Sequence, residues 1–152
     1  MKTNLLTTIK TAALTAGFKF IYGDGRYFEQ GISQTDLTDG SLGLMFNIIS
    51  ARQVIEAKQW NGEIDYSVQF FLFRKVEMAT QSSLAETLEQ KFENRMDEIE
   101  NELLKFITQL TQCNNDIDLI SPNMQVWTNR GSVNVDGWYL ECTLKLNNQY
   151  PV

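Results

Sequence analysis

The 152-residue chain has no histidine, two cysteines and two prolines, and its 13 basic residues are outnumbered by 19 acidic ones. Each scarcity excludes something. Without histidine the commonest general base and the commonest neutral metal ligand are missing, which argues against most hydrolases and transition-metal enzymes. Cys113 and Cys142 are too few for a disulfide framework and lack the CxxC spacing of zinc or thioredoxin-like sites. Both read as free thiols in a reducing compartment, with Cys142 a small buried hydrophobe. A net charge of −6 is unsuited to wrapping nucleic acid, which needs clustered Lys and Arg. No apolar run approaches the ~18 residues of a membrane span. Thr7, Thr8, Lys10 and Thr11 interrupt the stretch Met1–Phe20, which is not the pattern of an export signal.

What is present is the composition of one globular domain, 43% hydrophobic and 21% charged, with length enough for one core. A short amphipathic helix is expected over about Asn4–Ala16, capped by Thr3 or Asn4 and stopped by Gly17, with Leu5, Ile9, Ala12 and Ala16 on its stripe. Phe18–Tyr22 follows as a short strand. The stretch Asp24–Ser41 then loses all periodicity, and a loop of that length in a compact domain is generally functional or mobile. Leu44–Ser50 is a strongly apolar strand, followed by Arg52–Gln59. Asn61-Gly62 is the strongest short hairpin signal and predicts a turn leading into a strand over Ile64–Lys75. In that strand Tyr66, Val68, Phe70 and Leu72 share one face. Ser67, Gln69, Phe71 and Phe73 share the other, which turns apolar towards its end.

Ser83-Leu84-Ala85-Glu86 has the form of a capping box. After it Leu84, Leu88, Phe92, Met96, Ile99, Leu103, Phe106 and Leu110 recur at helical spacing with no glycine or proline up to Gln112. The helix is expected to be about 43 Å long and to cross the whole sheet. Its outer face is assigned Glu86, Glu89, Glu93, Asp97, Glu98, Glu100 and Glu102 against Lys91, Arg95 and Lys105. Met124, Val126 and Thr128 alternate in a next strand, Arg130–Gly137 is expected to be a long hairpin tip, and Trp138, Leu140, Cys142, Leu144 and Leu146 line one face of a last strand. The order α-β-loop-β-β-β-α-β-β predicts an α+β fold: a mostly antiparallel sheet with a short N-terminal helix and one long amphipathic helix packed on one face.

No pattern of residues amounts to a catalytic or cofactor site. Gly23-Asp24-Gly25 reads as a turn, since the phosphate-loop pattern fails at Phe28. Asn114, Asn115, Asp116 and Asp118 lack the glycine and distal glutamate of a calcium loop. Asp24, Asp36 and Asp39 have nothing nearby to separate their acidities. No catalytic residue, cofactor or metal is therefore assigned. The aromatics Tyr27, Phe28, Trp60 and Tyr150, by contrast, fit either of two roles, anchors of a protein interface or core packing.

The segments Leu5–Ala16, Phe18–Tyr22, the Asn61-Gly62 hairpin with Ile64–Lys75, Ser83–Gln112 and Trp138–Leu146 come in an order that resembles the tail-terminator (tail-completion) proteins of long-tailed bacteriophages and their neck-protein relatives. The resemblance covers nearly the whole chain and is one of topology, with no catalytic motif. It implies a virion protein of the tail and neck, assembled in the bacterial host cytoplasm. Such a protein forms a ring, most commonly a hexamer, on the last ring of tail tube protein and faces the head-side neck or head-completion protein. DNA passes through the lumen without specific binding, and acidic walls suit that passage. On this reading interface residues are expected in the loop (Asp24, Arg26, Tyr27, Phe28, Ile32, Asp36, Asp39) and at the tips (Trp60, Asn61, Gly62, Arg130, Val133, Asp136). The alternatives are another neck component, such as a head-closure or adaptor protein, or a small binding module whose sheet cups an apolar ligand with Phe71, Phe73 and Trp127.

Overall fold

The computed structural model describes residues 4–23, 37, 40–75, 87–113, 116–130 and 135–147, with only the backbone at 113 and 128–130. They form an α+β fold: one five-stranded mixed sheet, a short helix and a long helix. Helix α1 is Leu5–Thr15, strands β1, β2 and β3 are Lys19–Tyr22, Gly43–Glu56 and Gln59–Lys75, and strands β4 and β5 are Ile117–Arg130 and Val135–Leu146. Between β3 and β4 lies the long helix α2, α-helical over Leu88–Lys91 and Asp97–Cys113 and π-helical over Phe92–Met96. The sheet order is β1-β2-β3-β5-β4, with β1 parallel to β2 and every other pair antiparallel.

The Asn4 side chain caps α1 by accepting from the Thr7 amide at 3.1 Å. At the other end Gly17, at φ +85°, lets the Phe18 and Gly17 amides return to the Ala13 and Leu14 carbonyls. This tight reversal delivers the chain directly into β1. The buried stripe is Leu5, Ile9 and Ala13, not the expected Ala12 and Ala16; Ala16 is exposed.

Leu44–Ser50 and Arg52–Gln59 are not separate elements. Their residues up to Glu56 form the single strand β2, kinked where Ile49 bulges out of the pairing with β3. The turn to β3 is Ala57-Lys58, both at positive φ (+48° and +64°), as a two-residue hairpin of twist-matched hand requires. Asn61-Gly62, the expected turn, lies inside β3. There the Asn61 carboxamide oxygen accepts from the Glu63 amide, and Gly62 takes φ +89° in a register shift. A bulge needs the same left-handed tolerance as a turn, so the local signal fits either; the cross-strand pairing selects the bulge.

The long helix departs from expectation at its start. Thr87 is extended (φ −70°, ψ 162°), and the capping box is Thr87 with Gln90, one turn after the expected one. Ser83 lies outside the described residues. The apolar stripe holds from Met96 through Ile99, Leu103, Phe106 and Leu110, all buried. Before Met96 it fails: Leu88 is 66% and Phe92 40% exposed. The π-helical turn inserts one residue into the period, so the inward position one turn before Met96 belongs to Lys91 and not Phe92. Lys91 and Arg95 therefore leave the outer face and turn towards the sheet.

The core lies between the helices and one sheet face, where Phe46, Phe70, Leu72, Leu140, Leu144 and Leu146 meet α1 and α2. Phe18 and Phe106 stand 5.7 Å apart across the helix–sheet boundary. The opposite face carries a smaller cluster of Ile21, Leu37, Met45, Phe71, Phe73 and Val135. Leu37 belongs to the expected long loop yet is buried in this cluster. Phe73 is flanked across the sheet by Gly43 and Gly137. A Cβ at Gly43 would strike the Phe73 ring, and one at Gly137 would strike the Leu72 carbonyl and Phe73.

Candidate assembly interface

The outer edges of the sheet are the first feature that folding alone does not account for. β1 pairs with β2 only over Gly43–Phe46, so among the described residues no strand lies beside β2 from Asn47 to Glu56. On the other side β3 outruns β5, whose last pairing is Leu146 with Ile64. The β2–β3 hairpin thus projects as a two-stranded arm. Isolated two-stranded ribbons are marginal in water, and this one exposes Ile55 at 58%; Ile49, 54% exposed, bulges from β2 further back, where β3 is already paired with β5. The arm is braced locally: the Trp60 indole donates to the Glu63 carbonyl at 2.7 Å, Arg52 pairs with Asp65 at 3.1 Å, and Lys145 with Glu63 at 3.5 Å.

The far edge of the sheet is β4. Ser121, at φ +54°, marks a bulge just before Pro122, and Ile120 and Val126 are 40% and 42% exposed. Among the described residues the two sides of the sheet are therefore open but unlike one another. A bulge and a proline blunt the β4 edge, while the β2 edge ends in a protruding arm.

Between α1 and α2 lies a cleft of about 580 Å³. Its floor is Phe18, Phe106 and Leu110, Ala12 and Ala16 leave it open, and Glu102 and Lys105 stand on its rim. The remaining outer surface of α2 is strongly acidic. Glu89, Glu93, Asp97 and Glu98 are exposed and Glu100 and Glu102 half-buried, and Lys105 is the only cation of α2 that stays outside. The other two hold Asp136: Arg95 Nη2 lies 3.0 Å from its Oδ2 and Lys91 Nζ 3.7 Å from its Oδ1.

The expected interface residues separate accordingly. Trp60, Asn61 and Gly62 are in the arm, Trp60 directly opposite Ile55 just behind the turn; Trp60 and Asn61 are half-buried and Gly62 is buried. Arg130 ends β4. Asp136 is not at a tip: β5 already begins at Val135, and Asp136 is fully buried beneath α2, where no partner can touch it. A carboxylate amid strand residues gives no local sign that two cations one helical turn apart will fold over it. Asp24, Arg26, Tyr27, Phe28, Ile32, Asp36, Asp39 and Val133 lie outside the described residues. The exposed arm residues Ile49 and Ile55 went unpredicted; Val54-Ile55 within an otherwise polar run was the available signal.

The remaining sequence candidates resolve into structural roles. Phe71, Phe73 and Trp127 do not form an open cup. Phe71 and Phe73 are buried, and Trp127 lies 4.9 Å from Phe71 and stacks on Tyr139 at 5.1 Å and 4°. Gly23 continues the β1 ladder, its amide donating to the Phe46 carbonyl. Asp118 lies within β4 and accepts from the Asn147 side chain at 3.2 Å. On the face away from the helices Asn47, Gln69 and Glu141 form a side-chain ladder, Gln69 donating to Glu141 at 3.0 Å, and Tyr139 also donates to Glu141 at 2.9 Å. Burial first, and then the Glu141 carboxylate, push the Tyr139 hydroxyl far above its usual range, so it stays a donor. Burial raises the Cys142 thiol to about 12, which suits a packing residue and not a nucleophile.

Among the described residues no helix is long and apolar enough to cross a membrane. Compared with models of known protein families and with curated proteins, the chain matches none.

Proposed function

We propose that this chain is a structural virion protein, a tail terminator that closes into a ring, most simply a hexamer, on the end of a phage tail tube and meets the head-side neck protein. The observation that carries the reading is that, among the described residues, a single sheet has two open and unlike sides, an arm beyond β2 on one and the β4 edge on the other. Unlike surfaces on opposite sides of one subunit suit head-to-tail contacts, which close into a ring when the rotation per subunit divides a full turn. Two similar edges would instead favour a two-fold dimer. Open strands can also accept a strand from a neighbour.

The acidic face of α2 fits the same role. With Lys91 and Arg95 drawn in to Asp136, Lys105 is the only outward cation on α2 against six acids, of which Glu98 pairs with Arg74 of β3 at 3.4 Å. Such a surface repels phosphate and would let DNA pass without adhering. The protein acts by shape, with no bond made or broken. The test is electron microscopy and light scattering of the purified chain, alone and with tube protein. Closed rings and capped tubes of defined length are expected; a persistent monomer that leaves tube length unaltered would overturn the proposal.

A further inference from the structure

Each outer edge of the sheet carries two exposed apolar side chains, and their spacing is the same on both. On β2 they are Ile49 and Ile55, on β4 Ile120 and Val126, six positions apart in each case (49 to 55, 120 to 126). We infer that the two edges pair between copies: the β2 stretch Ile49–Ile55 of one subunit takes the β4 stretch Ile120–Val126 of the next as an antiparallel neighbour, with Arg52 opposite Asn123. The inference rests on the ring reading and specifies its contact.

Both stretches reach solvent. From Ile49 to Ile55 every residue but Val54 is exposed, and from Ile120 to Val126 every residue but Met124. β1 covers the β2 edge only over Gly43–Phe46, short of this stretch. The strands also run the right way. β2 is antiparallel to β3, β3 to β5 and β5 to β4, so β2 and β4 point in opposite directions at the two sides of one subunit. A head-to-tail neighbour with its helices on the same side of the sheet therefore brings its β4 antiparallel to β2.

The side chains set the register. With Arg52 opposite Asn123 the two faces agree. Ser50 and Arg52 share the face of Ser67 and Asp65, away from the helices, and Gln125 and Asn123 share it through Tyr139 and Glu141. Ala51 and Met124 lie on the helix side, opposite Tyr66 and Leu140. A slip of one residue would set each side chain against the wrong face. The same register puts Ile49 opposite Val126 and Ile55 opposite Ile120, so all four leave water together. It also aligns the irregularity of β2 between Gln53 and Ile55 with the β4 bulge between Ile120 and Asn123. Ser121-Pro122 bends that edge and withholds an amide, which turns away a straight strand; an edge that bends at the matching point fits. β2 cannot satisfy itself as well. The two-fold register that sets Ile49 against Ile55 has Arg52 against Arg52 at its axis, because 52 lies midway.

The test uses the full chain and measures the concentration at which half of it is assembled, with circular dichroism to confirm that each variant is folded. Ile49→Lys and Val126→Lys, both at exposed positions, are each expected to raise that concentration roughly tenfold or more. Val126→Glu is expected to weaken assembly as well, and combined with Ile49→Lys in one chain to restore it to within about threefold of the original. In a Cys113→Ser background, Arg52→Cys with Asn123→Cys is expected to cross-link subunits on mild oxidation into a ladder that ends at the size of the ring, and Arg52→Cys alone to give no cross-link. Rings that form equally well in Ile49→Lys and Val126→Lys would overturn the edge pairing while leaving the ring itself intact. So would dimers cross-linked through Arg52→Cys alone, which mark β2 paired with itself. Variant rings of normal stability that have lost only tube binding would overturn it too, because the edges would then belong to the tube protein. A wild-type chain that never assembles would remove both this inference and the ring.

Discussion

Strand β3 starts in a two-stranded arm and ends in the middle of a five-stranded sheet, and different physics holds its two ends. Near Phe73 every position is constrained from several sides. Gly43 and Gly137 leave space for one ring, Val135 and Leu37 cover it, and one strand away Asp136 is clamped by Lys91 and Arg95. Near Trp60 the contacts among the described residues are more local: one partner strand, an indole hydrogen bond to Glu63 and two partly exposed ion pairs. A region so constrained tolerates no change and offers no free surface. The arm has fewer constraints among the described residues, and it leaves Ile55 58% exposed beside its turn.

Substitutions at the two ends should separate these regimes. The largest effect is expected at Asp136→Ala, which leaves Lys91 and Arg95 buried without their carboxylate; the loss is about 3–5 kcal/mol by chemical denaturation. Gly137→Ala forces a methyl against the Leu72 carbonyl and Phe73 and should cost about 1–3 kcal/mol, read as a drop in denaturation midpoint at constant slope.

The thiol of Cys142, on the helix-covered face, gives a pH signature. Because burial raises it from 9.0 to about 12, the folded chain holds this proton more tightly than the unfolded one. Stability is unaffected by this group below pH 9 and falls as pH rises from 9 towards 12, by about 1.4 kcal/mol per unit at most. Comparing Cys142→Ala with the parent at pH 8 and pH 10 isolates it; an identical pH dependence in both would show the thiol to be accessible.

In the arm the expected signs differ. Replacing Ala57-Lys58 with Asn-Gly puts residues that accept positive φ at both turn positions and should stabilise the fold by about 1 kcal/mol. Ile55→Asp should change the stability of the monomer by less than about 0.5 kcal/mol, since Ile55 is 58% exposed. A large loss at Ile55 would mean that the arm is a folding element like the base of β3, and the contrast between the two ends would disappear.

How much of this the sequence discloses depends on the range of the interaction. The faces of β3 and β5 follow from strict alternation, and the structure places Val68, Phe70, Leu72, Leu140, Cys142 and Leu144 together under the helices as that alternation requires. The cap at Asn4 and the stop at Gly17 are equally local and equally legible. The hairpin turn was misplaced because Asn61-Gly62 suits a bulge as well as a turn. The start of α2 was misread because a π-helical turn leaves no mark in the spacing of Leu88, Phe92 and Met96. The candidate interface is legible only in part: a hairpin end near Trp60 follows from the sequence, but the exposed β2 edge and the cleft between α1 and α2 depend on how elements far apart in the chain pack.

The sequence by itself determined the α+β class, the alternating strand faces, the cap and stop of the first helix and an excess of acid on the second, because each is a relation between residues a few positions apart. Tertiary structure alone decided that Lys91 and Arg95 leave the surface for Asp136, that β2 runs past its neighbours into an arm, and that a cleft opens between two helices. These are relations of one element to another, and they follow from which surfaces pack together and which are left over.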